Sequence, residues 1–500
     1  MNRLVVVSNR VPVPGSGGQA GGLAVALEGL MQRHGGLWFG WSGQVADNPG
    51  TLHVTEAEGV RYCTVDLTQD EHDRYYTGFS NSVLWPLLHS MPELLQYDRR
   101  DGAVYRHVNE RLVECLAPQL RPTDMIWVHD YHLMAMPALL RARGVIAPVG
   151  YFLHIPFPSP DVLGMLPEAG QLLRDLLAAD LLGFQTDNDV ENFTLAAQRL
   201  AGATRLAPDL LMAGGRRVRI GAFPVEIEPR ELAVMAEEAW RTSGAERLRR
   251  SLHGQKLILG VDRLDPTKGL MQRLAGYRRL LETRPEWRRH VTLLQIAPVS
   301  RKEVESYREL RDELDREAGS INSDWGEADW NPLRVIARGG PRATMAGYMR
   351  EARVGLVTPL RDGMNLVAKE YVAAQDPQNP GVLVLSRFAG AARQLTAALL
   401  VNPHDPDEIA EALDRALHMP LAERQDRWQA MWQAIEGASP IGWGRSFVAA
   451  LLRAGAQAHP VPSASLTPIA ATPIALREPP IGGFDPRRVK QGTAKPSGLI

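Results

Sequence analysis

Several short segments of this 500-residue chain place cations and carboxylates at spacings that suit an anionic, hydroxyl-rich ligand. Arg263 and Lys268 stand five residues apart in Asp262-Arg-Leu-Asp265-Pro-Thr-Lys268-Gly269. Two cations on one strand-to-helix loop suit a diphosphate, Arg offering a planar fork and Lys a point charge; taken alone, an ordinary surface loop would account for them equally well. Richer is Pro359-Leu-Arg-Asp362-Gly363-Met364-Asn365-Leu366-Val367-Ala368-Lys369-Glu370-Tyr371. An apolar strand precedes it and a helix is expected from Asn365, so main-chain amides from Gly363 to Leu366 can face phosphate or sugar oxygens. Asp362 at that mouth offers a carboxylate to sugar hydroxyls, and Glu370, two turns on, suits the paired hydroxyls of a ribose. A helix cap would explain Asp362 or Asn365 singly, but not the whole string.

These residues need elements to hold them. Short apolar, β-branched runs alternate with helical stretches, the pattern of parallel sheets with crossover helices. Strands are expected near Leu4–Ser8, Met125–His129, Val149–His154, Leu181–Gln185 and Val218–Phe223, and in a second series near Lys256–Val261, Val291–Ile296, Val354–Thr358, Val382–Leu385 and Leu399–Val401. The fold class is therefore α/β with two doubly wound, Rossmann-like domains. Between the series, Glu226 to Arg250 reads as helix and contains the boundary, giving domains over 1–235 and 236–455. From residue 456 the composition turns to Pro, Ala, Ser and Thr, too poor in large apolar residues to form a core, and a disordered tail is expected over 456–500. In open parallel sheets ligands bind beyond the carboxyl ends of the strands. Those ends are Ser8-Asn9-Arg10, His129-Asp130, His154 and Gln185-Thr186-Asp187 in the first half, and Asp262-Arg263, Pro298 with Arg301, and Arg361-Asp362-Gly363 in the second.

Gly15-Ser-Gly17-Gly-Gln-Ala20 satisfies the GxGxxA dinucleotide pattern, but it starts well past the strand end and lacks the following strand with a terminal acid. A flexible glycine loop is the better reading, with Gly21 and Gly22 leading into a helix. Composition excludes other classes. Lys plus Arg (56) balance Asp plus Glu (57), so no global field draws nucleic acid or an anionic membrane. The two cysteines, Cys63 and Cys115, lack ligand or disulfide spacing, which fits a reducing cytoplasm. The apolar run Leu4 to Val7 is too short for a secretion signal, and no stretch approaches a membrane span.

The strings SNRVPVP with AGGLAVAL, GLWFGWSG, YYTGFSNSVLWPLLH, VHDYHL, FLHIPFPSP, LLGFQTDND, VDRLDPTKG, IAPVSR and TPLRDGMNLVAKEYVAAQ closely resemble the trehalose-6-phosphate synthases, over roughly residues 1–450. The resemblance implies the GT-B fold, two Rossmann-like domains facing across a cleft. It also implies retaining transfer of glucose from a nucleotide sugar, most simply UDP-glucose, to glucose 6-phosphate, forming α,α-trehalose 6-phosphate. It implies a donor site at Gly21, Gly22, Arg263, Lys268, Gly340, Asp362, Gly363, Met364, Asn365, Leu366, Val367, Ala368, Lys369 and Glu370. The acceptor site it implies is Arg10, Tyr76, Trp85, Asp130 and Arg301, with His154 close to the donor sugar; His154, Asp130, Asp362, Arg263 and Lys268 would carry the chemistry. Two departures, Arg338-Gly339-Gly340-Pro341-Arg342 and Asp265-Pro266-Thr267, leave the base open among UDP, ADP and GDP. No DxD pair marks the donor loop, so neither metal nor other cofactor is expected, and no DxDGT string follows residue 455, so the product should leave as its phosphate ester. The expected partners are the two small-molecule substrates, with no nucleic acid and no membrane, and with room for a homo-oligomer. Alternatives are a glucosylglycerol-phosphate synthase, a cyclitol-coupling pseudo-glycosyltransferase, or a silent subunit that senses sugar phosphate.

Overall fold

A computed structural model describes residues 3–14, 27–32, 35–47, 49–301 and 303–457. Strands β1 (Leu4–Arg10), β2 (Gly36–Val45), β3 (His53–Ala57), β4 (Val60–Leu67), β5 (Met125–His129), β6 (Val149–Phe152), β7 (Leu181–Phe184), β8 (Thr204–Ala207), β9 (Leu210–Ala213) and β10 (Arg216–Ala222) form the first sheet, in the order β3-β4-β2-β1-β5-β6-β7-β10-β9-β8. Its centre is parallel; β3 and the β8–β9 pair are antiparallel additions at the edges. Strands β11 (Lys256–Val261), β12 (Val291–Ile296), β13 (Leu333–Ile336), β14 (Val354–Val357), β15 (Val382–Ser386) and β16 (Leu399–Val401) form an all-parallel second sheet, β13-β12-β11-β14-β15-β16. The two-sheet α/β architecture expected from the sequence is thus present.

The central strands are near-continuous apolar runs because helices cover both their faces. In β1, Val5 and Val7 join the core on one face while Leu4 and Val6 join that on the other. The second sheet likewise has a core on each side. Each sheet reverses its winding direction once, between β1 and β5 in the first and between β11 and β14 in the second. At such a switch point the flanking loops diverge and leave a crevice; Arg10 ends β1, and Asp130, Arg263 and Asp362 follow β5, β11 and β14.

Six strands went unread in the sequence: β2, β3, β4, β8, β9 and β13. The chain passes from the first sheet to the second through Phe223–Glu228, then enters helices Pro229–Trp240 and Ser243–Ser251. It returns in the last of the described helices, Pro440–Gln457, which packs against the first sheet rather than the second. Phe447 of that helix stacks on Trp127 of β5 at 4.5 Å. A Cβ at Gly183 of β7 would stand 2.6 Å from the Phe447 ring, so only glycine admits the helix there. Residues 456 and 457 close this helix; the rest of the expected tail, with the glycine loop of residues 15–26, lies outside the described residues.

Candidate active site

The first switch point is built on a strained backbone. Asp130, immediately after β5, has φ 73° and ψ 168°, a positive-φ extended conformation that is sparsely populated outside glycine and is held here by its surroundings. Its amide donates to the Phe152 carbonyl (2.8 Å), and its carboxylate accepts from the His154 amide (3.3 Å). Burial pushes the carboxyl up from 3.8 to about 6, against the pull of the Tyr131 and His154 amides and the Arg301 and Arg263 cations. His154 follows β6, with its Nε2 3.0 Å from Nδ1 of His129, so that one ring donates and the other accepts. Burial lowers His154 to about 3, and burial and then His154 lower His129, so both imidazoles are neutral.

An aromatic wall continues from there. The exposed guanidinium of Arg10 lies over the Trp41 ring (5.6 Å), Trp41 meets Tyr76 (5.4 Å), and Tyr76 stacks on His132 (5.9 Å, interplanar 11°). Tyr76 lies in, and Trp85 directly caps, the segment His72–Leu84, which winds as a wide π-helix; the Trp85 amide donates to the Ser80 carbonyl, five residues back. Long π-helices are rare and concentrate at functional sites.

Arg301, from the second domain, closes this wall. Its guanidinium lies 3.9 Å from the Trp85 ring, donates to the Tyr131 (3.1 Å) and Tyr307 hydroxyls, and stands 3.6 Å from Asp265. Arg301 too has a positive φ, 47°, fixed by these contacts from both domains. Burial opposes its charge, yet Tyr131, Tyr307 and Asp265 together raise its pKa further. Burial would raise Asp265, but Arg301, Arg263 and Lys268 hold it well below the usual carboxylate range. Arg263 approaches the other side of this group, 6.0 Å from Trp85.

At the second switch point Lys268 pairs with Asp362, whose carboxylate also accepts from Asn365 Nδ2 (3.0 Å). Asn365, φ 74°, caps helix Leu366–Ala374 by accepting from the Ala368 amide (3.2 Å). That leaves the Leu366 and Val367 amides, which an α-helix cannot satisfy internally, facing the loop. The loop is seated against the first domain: a Cβ at Gly363 would lie 2.3 Å from the His154 carbonyl, so glycine is required by the contact itself. Glu370 accepts from Arg342 at 3.4 Å, and burial raises its pKa while Arg342 moderates the rise. Gly340 lies in the loop after β13, with the Met345 methyl 3.2 Å from a Cβ built on it. Lys369 turns elsewhere, its ammonium wholly buried against Val225 and Glu226, so its side chain does not face the crevice and only its main chain can. Among the described residues no group of three or more His, Cys, Asp or Glu could hold a metal ion.

The model of glycosyltransferase family 20 matches residues 4–453. The chain belongs to that family. The trehalose-6-phosphate synthase of Sinorhizobium fredii (strain NBRC 101917 / NGR234) is 46% identical over 453 residues, 90% of this chain and 98% of that one. Among solved structures, an α,α-trehalose-phosphate synthase (UDP-forming) from Burkholderia xenovorans in complex with glucose-6-phosphate has a TM-score of 0.87 and 46% identity, covering 90% of this chain and 100% of that one. The E. coli protein bound with UDP-2-fluoro glucose has a TM-score of 0.85 and 44% identity, covering 90% and 99%. The two-domain fold is GT-B, as in these structures.

Of the residues singled out by sequence in this family 20 chain, contacts join Trp85 to Arg263 and Arg301, Asp130 to His154, His154 to Gly363, and Lys268 to Asp362, while Arg10 and Tyr76 both meet Trp41. Gly21 and Gly22 lie outside the described residues. Sequence reasoning passed over Tyr131, Tyr307 and Asp265, which hold Arg301, and Arg273. That arginine is fully buried and donates to Asp262 (2.7 Å), Gln295 (2.9 Å) and Thr358 (3.0 Å), tying the ends of β11, β12 and β14 together behind the cation loop. In a chain with only six lysines among 56 cations, an arginine carries no special signal. No described helix is long and apolar enough to cross a membrane.

Proposed function

We propose that the chain transfers glucose from UDP-glucose to glucose 6-phosphate with retention of configuration, releasing UDP and α,α-trehalose 6-phosphate. One observation carries this reading: over nine-tenths of its length the chain matches UDP-forming trehalose-phosphate synthases, and the residues at its two switch points have the chemistry for a sugar phosphate on one side and a nucleotide diphosphate on the other. Domain 1–235 binds the acceptor and domain 236–455 the donor, with helix Pro440–Gln457 folded back on the first.

Arg10 and Arg301 clamp the acceptor phosphate, with Tyr76 and Trp85 forming the wall beside it. Asp130 accepts from an acceptor hydroxyl. Arg263, Lys268 and the first-turn amides near Asn365 take the donor diphosphate, Asp362 the donor hydroxyls and Glu370 the ribose. On donor binding Lys268 is shared between Asp362 and phosphate, so the ion pair delivers a pre-placed cation. Gly340 lies beside the base. These cations supply the countercharge, so no metal is required.

Asp130, Asp362 and Glu370 are assigned to hydroxyls or ribose and Asp265 is taken up by Arg301 and Tyr307, which favours substitution on one face of the donor sugar over a double displacement through a glycosyl-enzyme. The C1–oxygen bond to the diphosphate breaks as an oxocarbenium-like centre forms. The acceptor 1-hydroxyl attacks from the same face, and its proton passes to the departing phosphate oxygen. Charge growing on that oxygen is met by Arg263, Lys268 and the helix terminus, the electrostatic contribution that usually dominates. Neutral His154 orients the donor sugar by a hydrogen bond. The reaction belongs in the cytoplasm, in keeping with two free cysteines.

UDP release measured with and without glucose 6-phosphate, with NMR of the product, tests the reading. Release that depends on glucose 6-phosphate and yields an α,α-1,1 linkage is expected. Release driven instead by glycerol phosphate or a cyclitol, or by no acceptor, would replace it with one of the alternative functions.

A further inference from the structure

Lys369 lies in the helix that carries Glu370, yet its ammonium is completely buried and directed away from the crevice. It donates to the Val225 carbonyl (2.8 Å) and to Glu226 Oε2 (2.6 Å), while Gln394 Nε2 donates to the other oxygen of Glu226 (2.8 Å). Val225 and Glu226 belong to the passage between the two sheets. The Val225 amide in turn donates to Gln185 Oε1 (3.0 Å), and Gln185 Nε2 donates to the His154 carbonyl (3.2 Å). That carbonyl is the atom against which Gly363 is seated. The contacts thus close a ring: donor helix, interdomain passage, end of β7, His154, and back to the loop that begins the donor helix.

We propose that Lys369 is a positioning residue that locks the donor helix to the interdomain passage through Glu226, setting the helix terminus and Glu370 in register with His154. A charge with no exposure is costly to keep for packing alone, since an apolar side chain of similar volume serves as well or better. Its partners lie on the segment joining the domains, so donor affinity depends on the geometry of that segment although no atom of Glu226 is assigned to the donor. This inference rests on the donor assignment proposed above.

The test is a cycle of K369M, E226Q and the double variant in the full-length chain, reading UDP affinity by calorimetry, KM for each substrate, and melting temperature. Each single change is expected to weaken UDP roughly 10-fold, the double change no more than either single one, with KM for glucose 6-phosphate unmoved. Melting temperature is expected to fall most in E226Q and to recover in the double variant, which buries no lone charge. E226Q with unaltered UDP affinity would overturn the proposal, because Lys369 would then act on the donor directly. Recovery of UDP affinity along with melting temperature in the double variant would also overturn it, leaving only a buried charge and its partner. Wild-type chain that binds UDP but forms no disaccharide phosphate would sink the functional reading and leave the outcome of the cycle readable.

Discussion

Asp130→Asn separates the charge of Asp130 from its shape. Asn matches Asp in size and shape, and the Asp130 backbone asks the same of both, so the substitution removes the charge while keeping the fold of the β5 end. Burial raises the carboxyl from 3.8 to about 6. With that value, about nine-tenths of the wild type is ionised at pH 7 and about one-tenth at pH 5. A carboxylate accepting from an acceptor hydroxyl contributes about 1.5–3 kcal/mol, so wild type should exceed Asp130→Asn roughly 10- to 150-fold in kcat/KM for glucose 6-phosphate near pH 7.5. Between about pH 7 and pH 5 that advantage should shrink roughly five- to ninefold, the larger figure going with the larger advantage. The ratio of the two proteins is the quantity to plot, because a phosphate monoester itself titrates near pH 6 and its contribution cancels. UDP-glucose is kept saturating, so that Glu370, also raised by burial, stays covered. Stability runs the opposite way. A folded-state value above the unfolded one means the folded chain holds its proton longer, so stability declines as pH rises from about 3.8 to 6, by at most about 3 kcal/mol. Asp130→Asn escapes that decline and should melt higher than wild type at pH 7 and equal to it near pH 4. A rate ratio constant from pH 5 to 8 would refute both the burial argument and the assigned role.

Other outcomes follow from the same geometry. Arg301→Lys keeps the charge beside Asp265 but loses the fork to two tyrosines and the stacking on Trp85, so KM for glucose 6-phosphate should rise at least about 10-fold while KM for UDP-glucose stays fixed; a shift in the donor constant alone would contradict the assignment. Glu370→Gln should weaken UDP itself in a binding titration, and unaltered affinity would remove Glu370 from the ribose. Phe447→Ala opens a cavity against Trp127, Gly183 of β7 and Gly150 of β6, where a Cβ would likewise stand 2.8 Å from the Phe447 ring, and should cost about 3–5 kcal/mol of stability in chemical denaturation; a loss below about 1 kcal/mol would show that helix Pro440–Gln457 is not part of the first core. Quenching turnover with a slow fluorinated donor should give protein of unchanged mass, and an adduct one hexose heavier on any carboxylate would replace the one-face mechanism.

The elements that sequence disclosed are those whose pattern comes from double burial. β12, Val-Thr-Leu-Leu-Gln-Ile, is buried along its whole length, and such runs announce themselves. β3, His-Val-Thr-Glu-Ala, is almost wholly exposed at a sheet edge, and β8 is short and half-exposed, so neither carries an apolar signal. β2 escaped for another reason: its Gly-Leu-Trp-Phe-Gly-Trp string, buried in the structure, registers as a motif and not as a run of β-branched residues. At the site, polar residues at strand ends were legible because a parallel sheet must place them there. Their supports were not. That Tyr307 and Tyr131 meet on one guanidinium, or that Lys369 reaches Glu226 across 143 positions, depends on how two sheets face each other, which no local pattern encodes.

The return of helix Pro440–Gln457 to the first sheet means that the two lobes are pinned twice, at neighbouring places, residues 223–228 and the approach to Pro440, where Trp443 Nε1 donates to the Phe223 carbonyl (3.0 Å) and Arg230 pairs with Glu436 (3.4 Å). A body held by one tether can swivel, twist and slide; one held by two keeps a single easy rotation, about the line through both pins. Gly363 on His154 and Arg301 on Trp85 lie on the two surfaces that such a rotation brings together or parts. Such a rotation carries the Gly363 loop and the Arg301 guanidinium together, since both belong to the second domain. Under the donor and acceptor assignments proposed above, one rotation thus sets both halves of the site at once, and no separate lid is needed to align them.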